Sequence, residues 1–562
     1  AAPGVTILAT SRQALNAPGE HLFPVPPLPA PAAGELFALR AASAVPGFRV
    51  TAANRADVTR LCRRLDGIPL AIELAAVRLR AMPLPDLVRR LDRTFGVLSG
   101  DGPVAPERHE TLRTAIDWSH RLCSDAERRL WARLSVFAGT FDLDAIEEVC
   151  AETELERDEV LTALVGLVDK SVVLRDADGA GRPDGRYRLL DTLREFGADR
   201  LAARGEATAC RDRHFARYLR MARYFGQHFA DNDQLRRYHE LLREHASIRA
   251  ALEHGLLSEA VPGWRAARGA ELATSLYGYW QISGMLREGG YWLTKALDRF
   301  PAPSPERARA LVNRGFLRTF QGQVPDALDD CREGIAIARE LGEAAITARG
   351  YQHLNLALAF SGLHAEAARA GQEARWRLAE CDDWPGQLML MAQLGHLQQL
   401  AGDPAGAVEI CGRGLEMAGQ ASTEVWVRSY LHNVRGYALF RQPGREAECE
   451  AAVAEALAAK QELGDLIGTA YALETLGCLA ARSGDWERTA WLFGVSDPLW
   501  ERGDKRFGGT AIMEGFHQEA ERGALAALGG ERYAAIHAAG ARHARERIAV
   551  AADGRALAIR LR

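Results

Sequence analysis

Between residues 284 and 484 a glycine returns at a nearly constant interval. Gly284, Gly322, Gly362, Gly402, Gly444 and Gly484 stand 38, 40, 40, 42 and 40 residues apart. Five residues after most of them comes another small residue, Gly289, Ala327, Ala367 or Ala407, and seven before come Gly315, Gly395 and Gly477. The segments between have helical apolar spacing across residues 206–515. Small residues let two helices cross closely, and a helix pair of this length can bury its apolar face only on its neighbours. The period therefore predicts an α-solenoid. Aromatic residues recur along it (Tyr279, Trp280, Trp376, Trp426, Trp486 and Trp491) and are expected mostly in its core, with a minority lining a concave binding surface.

This pattern of a small residue in helix A, a turn glycine and a small residue in helix B resembles the tetratricopeptide repeat, stretched from about 34 to about 40 residues. The added length implies an extra turn per helix, as in the arrays that follow the switch domains of large bacterial regulators. The resemblance implies a protein partner or small-molecule inducer bound on the repeats.

Upstream, residues 1–100 carry a second set of signals. Val5 to Ala9 is a continuous apolar run, the pattern of a strand buried on both faces of a parallel sheet, and Thr10, Ser11 and Arg12 fall at its carboxyl end. Ligands of open α/β sheets bind outside the carboxyl ends of the strands, where an arginine can read phosphate charge. A proline-rich stretch at Phe23–Pro29 follows, then helical spacing over Gly34–Ala44 and Asn54–Leu65. Gly67 closes the latter helix and Pro69 fits the first turn of the next, which Ala71–Leu79 continues.

Taken singly these are ordinary local signals. Their order is not: the strand with T-S-R, an L-F-x-x-R-A helix (Leu36, Phe37, Arg40, Ala41), then G-I-P-L-A-I-E-L-A-A from Gly67. This order resembles the back half of an NB-ARC or STAND-type nucleotide-binding switch of the LuxR/AfsR-like bacterial regulators. The resemblance implies that Arg12, with Thr10 and Ser11, senses the terminal phosphate of ATP or ADP, and that Gly67 and Pro69 lie by the adenine. A phosphate-cradling G-x-x-x-x-G-K-[ST] loop is not found, and none of the four lysines (Lys170, Lys295, Lys460, Lys505) stands in such a context. The expectation is thus an N-terminally truncated α/β nucleotide-binding domain with its helical lid, one that does not bind ATP or ADP tightly by itself.

Residues 101–205 read as helices followed by a hairpin, the winged-helix order. Helices are expected at Thr111–Leu122, Asp125–Phe137, Leu143–Cys150 and Asp158–Val168, and strands at Ser171–Arg175 and Arg186–Leu190 across a Gly- and Asp-rich loop. The would-be recognition helix, Asp158 to Asp169, holds Asp158, Glu159 and Asp169 and no base, the wrong sign for a groove lined by phosphates. A packing module that closes over the nucleotide domain is expected instead. Tyr187–Phe196 falls where the resembled family carries Met-His-Asp. Leu190 stands in place of the histidine and Asp191 is retained, which implies a nucleotide contact at Asp191 and an altered ADP-locked off state.

Phe516–Ile548 is expected to continue as helix, and Val550–Arg562 to trail off at Asp553-Gly554. The last 24 residues hold six arginines without interleaved aromatics, so residues 516–562 form a helical tail with no DNA-reading pattern. In the resembled regulators a helix-turn-helix effector often follows, and DNA contact is expected only through such a domain. A formal net charge of -4 over 562 residues gives no global attraction to nucleic acid or anionic membrane. The nine cysteines are scattered without C-x-x-C pairs, as in a reduced, cytoplasmic protein, and no apolar run reaches the roughly 18 residues a bilayer span requires. No Ser-His-Asp order, metal motif or paired carboxylates points to an independent hydrolase.

The expected architecture is therefore mainly α: nucleotide-domain remnant (1–100), winged helix (101–205), tetratricopeptide-like solenoid (206–515) and helical tail (516–562). The expected function is a STAND signal-transducing regulator of transcription, oligomerising on activation. The alternative is an interaction scaffold without nucleotide activity.

Overall fold

The computed structural model describes residues 25–551 apart from 46, 81, 92–115, 118, 154, 176–184, 229–232, 259–261, 420–423, 502–505 and 507–510. The chain forms two compact units, residues 1–217 and 218–562. The expected strand Val5–Ala9, with Thr10, Ser11 and Arg12, lies outside the described residues, as do half of Thr111–Leu122, the hairpin loop and the tail beyond residue 551.

Among its described residues the first unit begins with four helices, α1 (Ala30–Ala44), α2 (Arg55–Arg64), α3 (Pro69–Arg78) and α4 (Leu84–Leu91), around a core of Phe37, Leu61, Leu65, Ile72 and Leu87. Helix α1 starts four residues before the expected Gly34, because Pro31 suits a first turn whose N–H groups have no helical partner. Pro69 opens α3 for the same reason.

The winged-helix portion follows as α5 (Asp125–Leu134), β1 (Thr140–Asp142), α6 (Leu143–Cys150), α7 (Arg157–Asp169), β2 (Val173–Arg175), β3 (Arg186–Leu189) and α8 (Asp191–Ala203). Ser124 and Glu127 form a reciprocal capping box at the start of α5. The sheet has three antiparallel strands in the order β1-β3-β2, with Phe141 opposite Tyr187 and Leu174 opposite Arg188. Strand β1 is absent from the sequence expectation: three residues with one inward side chain, Phe141, leave almost no alternation to read. Trp131, Phe137, Phe141 and Leu164 fill the core, and the Trp131 indole N–H donates to the Leu193 carbonyl at 2.9 Å.

Helix α9 (Ala207–Gln227) contains the boundary between units. The second unit continues with α10 (Gln234–Arg243), α11 (His245–Leu256), α12 (Gly263–Ser275), α13 (Tyr277–Ile282) and α14 (Leu286–Arg299). Five regular pairs follow: α15 (Pro305–Phe320) with α16 (Val324–Glu340), α17 (Ala344–Phe360) with α18 (His364–Glu380), α19 (Trp384–Leu400) with α20 (Pro404–Gly419), α21 (Trp426–Phe440) with α22 (Glu446–Leu463), and α23 (Leu466–Arg482) with α24 (Trp486–Trp500). The last pair, α25 (Ala511–Leu528) and α26 (Gly530–Ala551), corrects the single helix expected over Phe516–Ile548: Gly529, at φ 76°, turns the chain between them.

All six periodic glycines adopt left-handed backbone, φ 69° to 91°, between helix A and helix B. A Cβ at Gly284, Gly362, Gly402, Gly444 or Gly484 would meet nothing within 4 Å, so their role is conformational. The in-helix glycines serve packing: a Cβ on Gly315 would lie 2.7 Å from Cys331 Sγ, on Gly395 2.6 Å from Cys411 Sγ and on Gly477 2.4 Å from the Phe493 ring. Of the recurrent aromatics, Tyr279, Trp280, Trp426 and Trp491 are buried, Trp486 is half-buried and Trp376 is 55% exposed. All nine cysteines are unpaired and all but Cys381 are buried. Among the described residues no helix is long and apolar enough to cross a membrane.

Candidate functional site

The turn from α2 into α3 and the start of α8 come together in the first unit, and they bring Gly67 and Asp191 into one polar junction. Helix α2 ends in Arg64-Leu65-Asp66-Gly67, with Asp66 at φ 52° and Gly67 at φ 65°. Two successive left-handed residues swing the Asp66 carboxylate out of α2 toward α8. There Asp66 Oδ2 accepts the Thr192 N–H at 3.1 Å. Leu190, the residue in the histidine position, is the N-cap of α8 and supplies no side-chain cap of its own, so the cap comes from Asp66, 126 residues away in sequence.

Charges surround this contact. Arg64 bonds Glu195 and lies 3.4 Å from Asp191 Oδ2, while Arg194 holds Asp191 Oδ1 at 2.7 Å. Burial pushes the Asp66 carboxyl up to about 6, and the neighbouring Asp191 charge adds to the rise. The Thr192 and Asp191 N–H groups and Arg64 act in the opposite direction. Asp66 is thus poised to change charge near neutral pH at the contact between two elements.

Gly67 is buried, and the Leu28 N–H donates to its carbonyl at 3.0 Å. A Cβ there would sit 2.3 Å from the Leu28 carbonyl oxygen, so the proline-rich segment crosses the turn too closely for any side chain. Pro69 is exposed at the start of α3. The Cβ side of Gly67 is filled by Leu28 backbone, and Arg64 and Arg194 are engaged with carboxylates. Arg64 and Asp66 are absent from the sequence expectation. The one available signal was an aspartate directly before a glycine at a helix end, a position where left-handed backbone suits Asp.

Helix α7 was expected to hold no base, but it begins one residue earlier than expected and includes Arg157. That guanidinium is bonded to Glu147 at 2.6 Å, and Lys170, just past the helix, holds Glu127 at 2.8 Å. The outward face is formed by Leu161 and Val165, 48% and 52% exposed, beside Asp158 and Asp169. This stretch of the helix is apolar and acidic, with the exposed Arg157 guanidinium paired to Glu147.

Residues 123–202 match the family model of a winged helix-turn-helix domain. Over 382 residues the chain is 39% identical to the Mycobacterium tuberculosis protein "Putative HTH-type transcriptional regulator Rv0890c", a match covering 66% of this chain and 41% of that protein. Over 209 residues it is 40% identical to "Uncharacterized protein Rv0894" of the same species, covering 37% of this chain and 52% of the other. The chain thus spans about half or less of the length of these curated relatives. A crystal structure of a Signal Transduction ATPase with Numerous Domains protein with a tetratricopeptide repeat sensor, from Pyrococcus horikoshii, aligns over 88% of this chain and 74% of that one, at 13% identity and a TM-score of 0.31. The chain is therefore similar to a winged helix-turn-helix domain over residues 123–202 and, over two thirds of its length, to a mycobacterial protein named as a regulator.

Proposed function

We propose that the chain is the relay and sensor portion of a STAND-type regulator of transcription. The repeats receive an inducer, and the contact between the α2–α3 turn and α8 makes or breaks as the signal passes. The observation that carries this reading is the polar junction itself, in which one ionisable residue, Asp66, caps a helix of another element. A switch requires an element with two arrangements that a ligand can bias, and a cap supplied from outside its helix can be withdrawn without unfolding it. The match to Rv0890c supports the regulatory role.

In this reading ATP or ADP is the nucleotide that sets the switch, Thr10, Ser11 and Arg12 meet its phosphates, and the Gly67–Pro69 turn and Asp191 report its presence through Asp66. DNA is contacted by an effector segment rather than by α7, and the protein works in the cytoplasm, oligomerising when activated. A second reading, an interaction scaffold, is favoured by the surface groove of about 540 Å³ beside exposed Trp376, lined by Tyr351, Glu366, Arg369 and Glu373.

Deleting the encoding gene in its host and comparing transcripts tests the proposal. A regulator predicts a defined set of altered transcripts, restored by the wild-type gene and not by Arg64→Ala combined with Asp191→Ala. An unchanged transcript profile on deletion would leave the scaffold reading in place.

A further inference from the structure

The helix-A faces of the second unit converge on one cavity. Its walls come from α13, α15, α17, α19, α21, α23 and α25, every first helix along the array. Helix α10 closes the array on itself: Gln234 bonds Glu424 at 3.0 Å and the His239 ring lies 3.0 Å from the Glu462 carbonyl oxygen. The space wide enough to hold water is about 80 Å³, within about 670 Å³ of atom-free volume that includes its mouth on solvent.

The lining combines two features that rarely share a protein core. Phe316, Phe320, Phe360 and Tyr430 give it aromatic walls. Among them stand polar atoms with no hydrogen-bond partner among the described residues: Gln281 Oε1, both amide atoms of Gln393, His396 Nε2, Gln399 Oε1, Asn433 Oδ1 and the Tyr437 hydroxyl. Gln281, Gln393 and Gln399 are at least 96% buried. Each such group keeps its full desolvation cost if nothing bonds it, so a core built for stability alone would not gather them.

The donor and acceptor pattern defines the occupant. The Gln399 amide is oriented by its Nε2 bond to the Val434 carbonyl at 2.6 Å, and Asn433 Nδ2 faces the Gly468 carbonyl. Their free oxygens therefore accept, and the ligand must donate. Among the described residues no Asp, Glu, Lys or Arg lines the cavity. His396 is held neutral at physiological pH because burial lowers it to about 4. The Lys460 ammonium lies 3.4 Å from the Tyr430 ring centroid, which disfavours a second cation there. A charged ligand would lose its hydration without a counter-charge.

We propose that this cavity binds an uncharged aromatic small molecule bearing at least two hydroxyl or N–H donors. The inference rests on reading the repeats as the sensor and gives that sensor its ligand class.

The test uses the full chain and four probes: resorcinol (neutral, two donors), toluene (no donor), benzoate (anion) and benzylammonium (cation), followed by saturation-transfer NMR and calorimetric titration. Resorcinol is expected to bind saturably and most tightly of the four. Gln393→Leu and Gln281→Leu, drawn from different helices, should each weaken it tenfold or more while circular dichroism shows unchanged helix content. Absent resorcinol binding, binding unaffected by either folded variant, or equal binding of benzoate or benzylammonium overturns the proposal; the first outcome leaves water as the partner of these groups. Should both variants misfold, toluene binding as well as resorcinol to the wild type overturns it, and resorcinol preferred over toluene supports it. Because binding is read in vitro, its failure is separable from that of the regulatory reading: binding with no transcript change on gene deletion would sink the regulator and keep the cavity.

Discussion

Asp66 shows how much a single residue at a left-handed turn can do. It caps α8, opposes Asp191, and carries a carboxyl raised to about 6. In the unfolded chain the same group titrates in the ordinary carboxylate range, so between about pH 4 and 6 the folded state holds the extra proton. Its contribution to stability is complete below that range and is lost as pH rises through about 6. Asp66→Asn keeps an acceptor for the Thr192 N–H, tolerates positive φ and removes the charge. We expect it to stabilise the first unit by about 1 kcal/mol at pH 7, part of the roughly 3 kcal/mol that two pH units represent. The difference between the wild-type and variant melting midpoints should vanish on acidification to pH 4. Asp66→Ala instead uncaps α8 and should cost about 1 kcal/mol at pH 4. A variant that melts like wild type at both pH values would remove Asp66 from the junction.

At the scale of elements, the helix pairs depend on glycine in two physically distinct ways. Gly362 adopts φ 75° in open space, so Gly362→Ala pays only the left-handed penalty, about 1 kcal/mol. Gly477 sits within α23 with the Phe493 ring 2.4 Å from where a Cβ would stand. There the better helix propensity of alanine is outweighed by overpacking, and Gly477→Ala should cost about 1–3 kcal/mol. Urea denaturation with far-ultraviolet circular dichroism distinguishes the two. Gly362→Asn should be milder than Gly362→Ala, since Asn tolerates left-handed backbone, whereas no side chain rescues Gly477. The turn glycines were legible because a fixed period announces them. The B-to-A turns at Gly342, Asp382 and Gly464 were not, since one uses aspartate in place of glycine and the period breaks.

Across the second unit, closure of the array is the decisive feature. The Gln234 side chain donates to Glu424 and accepts the Val425 and Trp426 N–H groups at 2.9 and 3.0 Å, all at the start of α21. Gln234→Ala leaves two backbone donors and a buried carboxyl short of partners, so we expect a loss of about 2–4 kcal/mol and faster hydrogen exchange at the N-terminus of α21. Unaltered exchange there would mean that closure does not depend on this residue. Acid acts on this unit with the opposite sign to Asp66. Burial lowers His353 to about 3 and His396 to about 4, so each is neutral when folded and binds a proton when unfolded. The stability they contribute is present above about pH 6.5 and is lost as pH falls toward 4. His396→Gln should reduce the drop in urea midpoint between pH 7 and pH 5.

The sequence alone determined the helix pairs, their turns and close crossings, and the order of helices and hairpin in the winged-helix portion, because periodicity and turn chemistry act over a few residues. It also marked Gly67 and Asp191 as notable. It did not reveal that Asp66 lies against Thr192, since that contact joins residues 126 apart and depends on two left-handed residues in succession. Nor did it reveal the cavity. Asn313, His353, Gln393 and Asn433 recur every 40 residues, a polar phase visible in hindsight, yet Asn313 and His353 bond the Thr274 and Val312 carbonyls while Gln393 has no partner among the described residues at either amide atom. Four equivalent positions diverge in role because only the closed array decides which neighbour each side chain meets.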